Sequence, residues 1–524
     1  MRKLSEHLKN NRILLVILVL GACLRLIALD KYPQGTYTDE AYGAYISYGL
    51  LTDGIDDRGC PFPVYFIAWG SGMSVLYSYL GVLFFKLFGV SLLSYRLPQA
   101  IFGILTIGAI YITAKELLGR QAGLLSALAL CVNPWHIMMC RFGLDANLAP
   151  GMFMIGFMFL VLGLNRKHIF LVPSAVFFGL TLYCYALTWL ILPIFLIFSL
   201  LFCLKPFLSS GRTLWLSALL LFGLALPLLI FLAVNYDFIP EIRTSFLTIP
   251  KLTGFRGGEL SLNNLKEGIK SFLKIVILEQ GDGSELLSNT FTGCYYFFTT
   301  PFMIFGILYH IQSLFREIKS RKTDLSFLFL AWLISAGMIS AANTSLTMIH
   351  INMVHIPIIF YGAYGIYSLG RLLKSKLVLY CCTAFYAVSL IFFAASYTQL
   401  ESSFFFDEKP YEAVQRAKEL SHEDSFIVFF GETTYKYPNF LWREKCDIND
   451  YVRNAVYDGD PFFAKLREYG SYRFMEDNIT LVERDGRNVY ILYTGSMGDF
   501  HELGFCVEQV NDSYAVAAMQ IPSQ

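Results

Sequence analysis

The sequence predicts a polytopic α-helical membrane protein with a small α/β domain outside the membrane. Of its 524 residues, 55% are hydrophobic and only 15% are charged, whereas a soluble domain carries about 25% charged residues. Eleven apolar runs precede a C-terminal region of ordinary charge density. The formal net charge of +1 gives no sign of a nucleic-acid partner.

The apolar runs are long enough to cross a bilayer as helices, which satisfy their own backbone in lipid. The first follows a basic N-terminus without a small-residue cleavage site, so we predict a retained helix and not a signal peptide. The eleven predicted spans are about 13–29, 97–114, 121–138, 150–164, 169–187, 190–204, 213–234, 295–314, 325–341, 351–370 and 377–397.

Basic residues in the short loops orient these spans, because cytoplasmic loops are enriched in lysine and arginine. The pattern holds if the N-terminus is cytoplasmic and the apolar piece 73–88 does not cross the membrane but forms an interfacial or re-entrant helix. The predicted cytoplasmic loops then hold Lys115 and Arg120; Arg166 and Lys167; Lys205 and Arg212; Arg316, Lys319, Arg321 and Lys322; and Arg371, Lys374 and Lys376.

Three large segments face outward in this topology: the loops of about 30–96 and 235–293, and the region 398–524. That region mixes a helical stretch, PYEAVQRAKELS, with β-like runs such as SFIVFFG and NVYILYTG. We therefore predict a transmembrane domain, 1–397, followed by an α/β domain, 398–524. Cys446 and Cys506 of this domain either form a disulfide or remain free thiols; no zinc or redox motif is present.

An acidic pair begins the stretch TDEAYGAYISYGL in the first outer loop. Carboxylates so close to hydrocarbon are costly unless they are hydrated or used. Thr36 and Asp39 also fit a capping box that starts a helix, which is the structural alternative. Successive helix residues point about 100° apart, so Glu40 is expected to leave the pocket of Asp39 and to pair with a cation or assist binding.

A second outer turn, NPWHIMMCRFGLDANLAP, brings Asp145, with Arg141 and His136 nearby, to the same membrane face. Its structural alternative is an N-cap for a helix that starts near Ala149. Two acidic turns beside one helical hairpin converge on a pocket in which one carboxylate acts as general base. The other then orients it or holds a cation.

The order of these features resembles the GT-C superfamily of membrane glycosyltransferases, most closely the branch of protein O-mannosyltransferases and aminoarabinose transferases. Four pieces carry the resemblance over about residues 13–165: CLRLIALDKYP with Arg25, TDEAYGAYISYGL, LFGVSLLSYRLPQAIFGIL and NPWHIMMCRFGLDAN. The resemblance implies that Asp39 is the catalytic base and that Asp145 helps to build the site.

This superfamily usually places an arginine before a late helix, where it contacts the donor phosphate. The corresponding stretch here, NTSLTMIHINMVHIPIIF, has no arginine, and His350 occupies that place. The candidates for the phosphate contact are therefore His350, Arg256, Arg243 and Arg141.

The expected donor is a polyprenyl-phosphate-linked sugar, because nucleotide sugars are cytosolic and no GxGxxG or Walker-type loop is present. Asp39 would take a proton from the acceptor, and polyprenyl phosphate would leave from the opposite side with inversion. The acceptor is a glycan, a lipid or a protein, and the location is the cell membrane. The predicted substrate-binding residues are Glu40, Asp145, Arg141, Arg25, Tyr42, His350 and Arg256, with Asp39 and Asp145 also candidate ligands for a divalent metal cation.

Two weaker patterns flank this site. Tyr37, Tyr42, Tyr45 and Tyr48 either stack on sugar rings or anchor the loop at the membrane interface. The amphipathic stretch NNLKEGIKSFLKIVILEQ is expected to lie on the membrane surface, where it would gate lipid entry.

Two other protein classes fit the composition. A transporter or lipid flippase usually shows repeated halves and ionisable residues near the bilayer midplane, whereas the notable acids here lie at one face. An assembly or sensor protein would work through its C-terminal domain and would be indifferent to the loss of Asp39.

Overall fold

The computed structural model describes residues 11–69, 72–254, 265–319, 325–343, 346–399, 406, 408–431, 436–459 and 464–519 of the chain. A helical part precedes a mixed sheet with its own helices. The helices are α1 Arg12–Leu26, α2 Thr38–Thr52, α3 Leu76–Phe88, α4 Leu92–Leu118, α5 Arg120–Cys131, α6 Pro134–Met139, α7 Asp145–Asn165, α8 Leu171–Thr181, α9 Thr188–Ser209, α10 Arg212–Asn235, α11 Leu265–Leu273, α12 Thr300–Lys319, α13 Phe327–Ala341, α14 His355–Leu372, α15 Leu377–Gln399, α16 Lys409–Leu420, α17 Tyr437–Glu444, α18 Ile448–Asn454 and α19 Met497–Glu502.

A helix forms in each of the eleven predicted spans, as expected of long apolar runs. In the part of the chain that the structure describes, seven helical stretches are long and apolar enough to cross a membrane, so the chain is a multi-pass membrane protein. The total of eleven spans stays a prediction. The seven stretches are Leu92–Leu118, Asp145–Asn165, Thr188–Ser209, Arg212–Asn235, Phe297–Arg316, Asn352–Leu372 and Leu377–Thr398.

The apolar piece 73–88 forms α3, which has only 13 residues. At 1.5 Å per residue it rises about 20 Å, which is less than the roughly 30 Å of a hydrocarbon core. Its length therefore agrees with the expectation that this piece lies at the interface without spanning.

The centre of the helical part is α4, which packs against α1, α3, α5 and α7. Helix α2 lies along α3, and Gly43 of α2 makes room for the hydroxyl of Tyr95 on α4, with which a Cβ at this position would clash. The starts of α2 and α7, which carry the two predicted acidic residues, are thus held against one helix bundle.

The C-terminal region contains a seven-stranded sheet in the order β4-β5-β6-β3-β7-β9-β8. Strand β3 runs parallel to β6 and β7, and the other pairings are antiparallel. Cys446 and Cys506 are free thiols. A short hairpin of β1 Ile242–Arg243 and β2 Thr248–Ile249 lies between α10 and α11. The sheet strands are β3 Phe426–Phe430, β4 Val456–Tyr457, β5 Leu466–Tyr469, β6 Tyr472–Met475, β7 Asn488–Tyr493, β8 Cys506–Gln509 and β9 Tyr514–Ala518.

Helices α17 and α18 dock this sheet region onto α2. The Asn439 side-chain amide donates hydrogen bonds to the carbonyl and the hydroxyl of Thr36, both at 2.9 Å. At the other end of α2, Asn449 donates to Asp53 at 2.7 Å, and the Trp442 ring stacks on Phe85 of α3. The C-terminal region therefore forms a wall beside the acidic start of α2.

Candidate functional site

Asp39 lies in the first turn of α2, and its side chain is half-buried. The hydroxyl of Tyr37 donates a hydrogen bond to it. The negative charge of Asp39, burial and this hydrogen bond raise the pKa of Tyr37 well above its ordinary value of 10.0. Tyr37 therefore stays protonated and keeps its donor directed at Asp39. The capping box expected from Thr36 is not formed, since Tyr37 is the N-cap residue and makes no side-chain cap.

Asp145 is the first residue of α7, four residues before the expected start near Ala149. Its side chain is not the N-cap; Leu144 holds that position. The carboxylate accepts hydrogen bonds from the backbone N–H of Ser74 at 3.0 Å and of Ala146 at 2.7 Å. Asp145 is 9% exposed. Its hydrogen bond from Ser74 ties the segment before α3 to the start of α7.

The structure brings Asp39 and Asp145 together, although 106 positions separate them in the sequence. Their carboxylates are close enough to repel each other electrostatically, and both charges act on the hydroxyl of Tyr37. The convergence of two acidic turns was the central expectation from the sequence. The roles of the two residues, and an outward-opening cavity between them, stay predictions.

Glu40 points away from this pair and is fully buried. Both of its carboxylate oxygens accept hydrogen bonds from the Arg96 guanidinium at 2.8 Å. One oxygen also accepts the backbone N–H of Gly143 at 2.7 Å. Pairing with a cation was one of the expected roles for Glu40, but a direct contact with substrate does not fit this burial. Glu40 and Arg96 instead link the acidic turn of α2 to the turn before Asp145.

Arg25 and Arg141 were expected to contact substrate, and their surroundings do not fit that role. Both are buried. Arg25 donates to backbone carbonyls of Gly21, Leu130 and Cys131 and lies 2.6 Å from His136 Nδ1. Arg141 donates to four backbone carbonyls, those of Leu24, Ile27, Ala28 and Tyr32. These two arginines therefore join the end of α1 to the turn between α5 and α7.

The other residues proposed to contact the phosphate are His350, Arg243 and Arg256. His350 is half-buried beside the hydroxyl of Thr347 at 3.0 Å. Arg243 on β1 donates to the carbonyl of Gly59 at 2.5 Å. Arg256 lies outside the described residues. His350 and Arg243 thus stay candidates for the phosphate contact.

Tyr42 is 1% exposed, so its ring has no face open to a sugar. Its hydroxyl donates to both carboxylate oxygens of Asp57 at 3.0 Å. Arg58 lies 3.9 Å from Asp57 and 3.7 Å from the ring centroid of Tyr457 on β4. The expected sugar contact by Tyr42 is therefore replaced by a polar cluster that joins the first loop to the C-terminal region.

This cluster was missed from the sequence, although the run GIDDRGC in the first loop was a visible signal. Tyr437, the first residue of α17, connects it with the acidic pair. The charges of Asp57, Arg58 and Asp39 all act on the Tyr437 hydroxyl. Arg58 and Tyr457 are almost 400 positions apart in the sequence, so no local pattern could have predicted their contact.

Asp56 also lies in this loop and is fully buried. One carboxylate oxygen accepts the backbone N–H groups of Arg58 at 2.9 Å and Cys60 at 2.8 Å. The other oxygen has no hydrogen-bond partner among the described residues. Burial, followed by the charge of Asp57, raises the pKa of Asp56 from 3.8 to about 7.

The stability of the protein should therefore depend on the protonation of Asp56. The folded protein holds this proton more tightly than the unfolded chain. Its stabilising contribution is complete below about pH 3.8 and is lost as the pH rises through about 7. Asp56→Asn should reduce the fall of the thermal midpoint between about pH 4 and pH 7. Asp53→Asn, at the exposed end of α2, is the control; an unchanged slope in Asp56→Asn would contradict this assignment.

A metal site on Asp39 and Asp145 has limited support. Within the described ranges, no group of three or more His, Cys, Asp or Glu side chains is placed to hold a metal ion. Mg²⁺ needs only one or two protein carboxylates when substrate phosphate completes its coordination, so these two acids would suit that ion. The divalent cation stays a prediction.

Comparisons with known proteins agree with this architecture. Residues 73–231 match the family model described as dolichyl-phosphate-mannose-protein mannosyltransferase. The structure of ArnT from Cupriavidus metallidurans bound to undecaprenyl phosphate is similar, with a TM-score of 0.58 and 13% identity over 98% of this chain and 99% of that chain. Its apo structure gives a TM-score of 0.57 and 14% identity over 97% and 98%.

An archaeal oligosaccharyltransferase, AglB from Archaeoglobus fulgidus in complex with an inhibitory peptide and a dolichol-phosphate, is also similar. Its TM-score is 0.53 at 16% identity, over 83% of this chain and 64% of that chain. No curated protein sequence matches the chain significantly. These likenesses establish the fold, and they confirm the predicted resemblance to the GT-C membrane glycosyltransferases of the O-mannosyltransferase and aminoarabinose transferase branch.

Proposed function

We propose that this protein is an integral-membrane glycosyltransferase that moves a sugar from a polyprenyl-phosphate carrier to an acceptor on the extracytoplasmic face. The observation that carries the proposal is the convergence of Asp39 and Asp145 at the starts of two helices. The fold shared with ArnT supports it. In this orientation the N-terminus is cytoplasmic and the C-terminal region faces outward.

Asp39 is the general base of this reaction. It is more exposed than Asp145 and holds one hydroxyl donor, from Tyr37. Asp39 takes the proton from the acceptor hydroxyl or amine as that group attacks the anomeric carbon. The bond from this carbon to the phosphate oxygen breaks on the opposite face, so the configuration inverts. Asp145 is fixed by two backbone N–H groups and orients Asp39.

The phosphate that leaves needs a cation nearby, because negative charge develops on its oxygen. Arg58 is a further candidate. Its Nε has no hydrogen-bond partner among the described residues, and its side chain is 21% exposed. Tyr437 lies near both Arg58 and Asp39. His350 and Arg243 remain the other candidates.

An apolar cavity of about 480 Å³ supports a donor with a hydrocarbon tail. One wall is α11 and the turn after it, which contribute Ile269, Phe272 and Val276; the other walls come from α12, α13 and α14. Lys270 and Lys274, on the same helical stretch, are largely exposed. Each lysine pairs with a glutamate, Glu267 or Glu279, so the apolar wall, and not these cations, supports the binding of an isoprenoid chain. This cavity agrees with the expectation that the amphipathic stretch gates lipid entry.

Gly268→Ala should weaken donor binding. A Cβ at Gly268 of α11 would clash with the backbone carbonyl of Ala341 at the end of α13, and a backbone atom cannot swing aside. Helix α11 must therefore move off α13 and open the cavity. We expect the KM for the polyprenyl-phosphate sugar to rise by about tenfold or more, which corresponds to about 1.4 kcal/mol of binding.

Gly337→Ala on α13 is the matched control. Gly337 lines the same cavity, but a Cβ there meets no atom within 4 Å. This variant should keep the KM for the donor near that of the unmodified protein. Equal KM values for both variants would show that the position of α11 does not govern donor binding.

Reconstitution of the purified protein tests the proposed function. Proteoliposomes are supplied with a panel of radiolabelled polyprenyl-phosphate sugars, and the transfer of label and the release of polyprenyl phosphate are measured. We expect one donor class to release polyprenyl phosphate at a rate that depends on Asp39. Movement of intact lipid across the bilayer without cleavage of any donor would instead identify a flippase.

A further inference from the structure

A second pocket lies where α16 and α17 meet the first outer loop. Its volume of about 60 Å³ holds about four to six water-sized groups, at 10–15 Å³ each. It lies outside the acidic pair and outside the apolar cavity. The residues that define it here are Thr36, Tyr411, Lys436, Asn439, Phe440 and Arg443.

The pocket is close to the proposed base. Thr36 lines it and precedes Asp39 by three residues, and three residues extend over at most about 11 Å. Tyr37, the next residue, donates its hydrogen bond to Asp39. A molecule that occupies the pocket therefore has atoms within one or two sugar lengths of the reacting centre.

One residue of the pocket, Asn439, has a buried acceptor that a ligand could reach after a small rotation of the side-chain amide. Asn439 uses its side-chain nitrogen on Thr36, while its Oδ1 is buried and has no hydrogen-bond partner among the described residues. A buried acceptor without a donor costs about 1–3 kcal/mol. A hydroxyl group of a ligand would satisfy it.

The rim of the pocket carries both signs of charge and an aromatic ring. Arg443 and Glu408 lie 3.6 Å apart, with side chains 51% and 58% exposed. The Arg443 guanidinium lies over the Tyr411 ring at 4.7 Å. An aromatic face with mixed donors and acceptors suits a neutral, hydroxyl-rich ring, which combines apolar C–H faces with polar edges.

A peptide is a poorer match for this pocket. Extended peptides usually bind by adding a strand to an open sheet edge. The edge strands of this sheet are β4 and β8, whereas Phe429, which lines the pocket, belongs to β3 between β6 and β7. The pocket therefore presents no strand edge, and its volume takes one edge of a compact ring, with the rest of the ring at the pocket mouth.

We propose that this pocket binds a sugar ring of a glycan acceptor and so presents the acceptor hydroxyl to Asp39. The proposal rests on the proposed glycosyltransferase function and deepens it, because it assigns the acceptor class. It also gives a role to the C-terminal region, whose helices α16 and α17 supply most of the pocket.

The test uses two variants of the full-length protein in lipid nanodiscs, since glycoside detergents would compete for the pocket. Tyr411→Ala removes the aromatic face, and Arg443→Ala removes the rim cation. Arg416→Ala is the control: Arg416 lies on α16 and pairs with Glu508 on β8 at 2.8 Å, away from the pocket. The binding of methyl α-mannoside, methyl β-glucoside, maltotriose and a serine-containing tripeptide is measured by saturation-transfer NMR.

We expect at least one saccharide to bind the unmodified protein and Arg416→Ala equally. Its affinity should fall by about tenfold or more in Tyr411→Ala and Arg443→Ala. Equal saccharide binding in all four proteins, no saccharide binding, or binding of the tripeptide alone would overturn the proposal. This readout needs no turnover, so it is separate from the proposed function, which fails if no donor ever releases polyprenyl phosphate.

Discussion

Replacing Asp39 by asparagine is expected to lower kcat for sugar transfer by about 10²–10⁴-fold, the usual contribution of a general base. Asparagine keeps the shape of the side chain and can still accept the hydrogen bond from Tyr37. It cannot accept the proton of the acceptor. The KM for the donor and the thermal midpoint should therefore change little. Initial rates in nanodiscs with a labelled polyprenyl-phosphate sugar measure this effect.

Asp53→Asn is the matched control, because Asp53 follows the last residue of the same helix and is exposed. Asparagine there can still accept the hydrogen bond from Asn449. This control should keep full activity. A protein that transfers sugar at an undiminished rate after loss of Asp39 would not use that residue as its base. A scaffold or sensor protein would be indifferent to the change.

Replacing Glu40 by glutamine is expected to lower the free energy of unfolding by about 3–5 kcal/mol, the usual result of breaking a buried ion pair. The side chains of Glu40 and Arg96 are 0% exposed, so the variant leaves the Arg96 charge buried without its counter-charge. Arg96 also donates to the carbonyls of Leu29, Pro33 and Gly35. The loop before α2 should therefore loosen. Thermal and chemical denaturation of the solubilised protein measure this change.

Arg166→Ala is the control for this prediction. Arg166 pairs with Glu116, but its side chain is 60% exposed, and exposed pairs contribute only about 0–1 kcal/mol. The double variant Glu40→Gln/Arg96→Met should recover part of the lost stability, because neither charge then remains buried. Equal losses for Glu40→Gln and Arg166→Ala would show that burial of the first pair does not matter.

Much of the helical part was predictable because hydropathy and loop charge are local signals. The charges of the loops predicted that the segment 73–88 does not span, and α3, with 13 residues, is shorter than a spanning helix. The approach of Asp39 to Asp145 was also predicted, since both acids begin helices on the same face. These inferences needed only the positions of the apolar runs and of the basic loop residues, which together predict the side of the membrane.

The roles of the arginines were not predictable in the same way. Arg25 and Arg141 resemble substrate-binding residues in the sequence, but their donors reach backbone carbonyls at the ends of α5 and α1. Only the three-dimensional path of the chain brings these carbonyls within reach of the two arginines. Arg96 could not be chosen as the partner of Glu40 for the same reason: 56 positions separate them.

The docking of the C-terminal region onto the first loop also could not be predicted from the sequence. Tyr437 and Tyr457 approach the first loop through contacts that span most of the chain. No periodic pattern in the first loop or in the C-terminal region indicates which residues the two segments contact. Helices and strands follow the last apolar run, as predicted. That they form a separate domain outside the membrane stays a prediction, and the sequence pattern did not indicate what this region contacts.

A cryo-EM structure of the protein with bound polyprenyl phosphate tests the central claim most directly. The account predicts the phosphate on the same side of the protein as Asp39 and next to one of the candidate cations, Arg58, His350 or Arg243, with the isoprenoid tail in the apolar cavity between α11 and α13. A phosphate held among the basic residues of the opposite face, near Lys115 and Arg120, would contradict it.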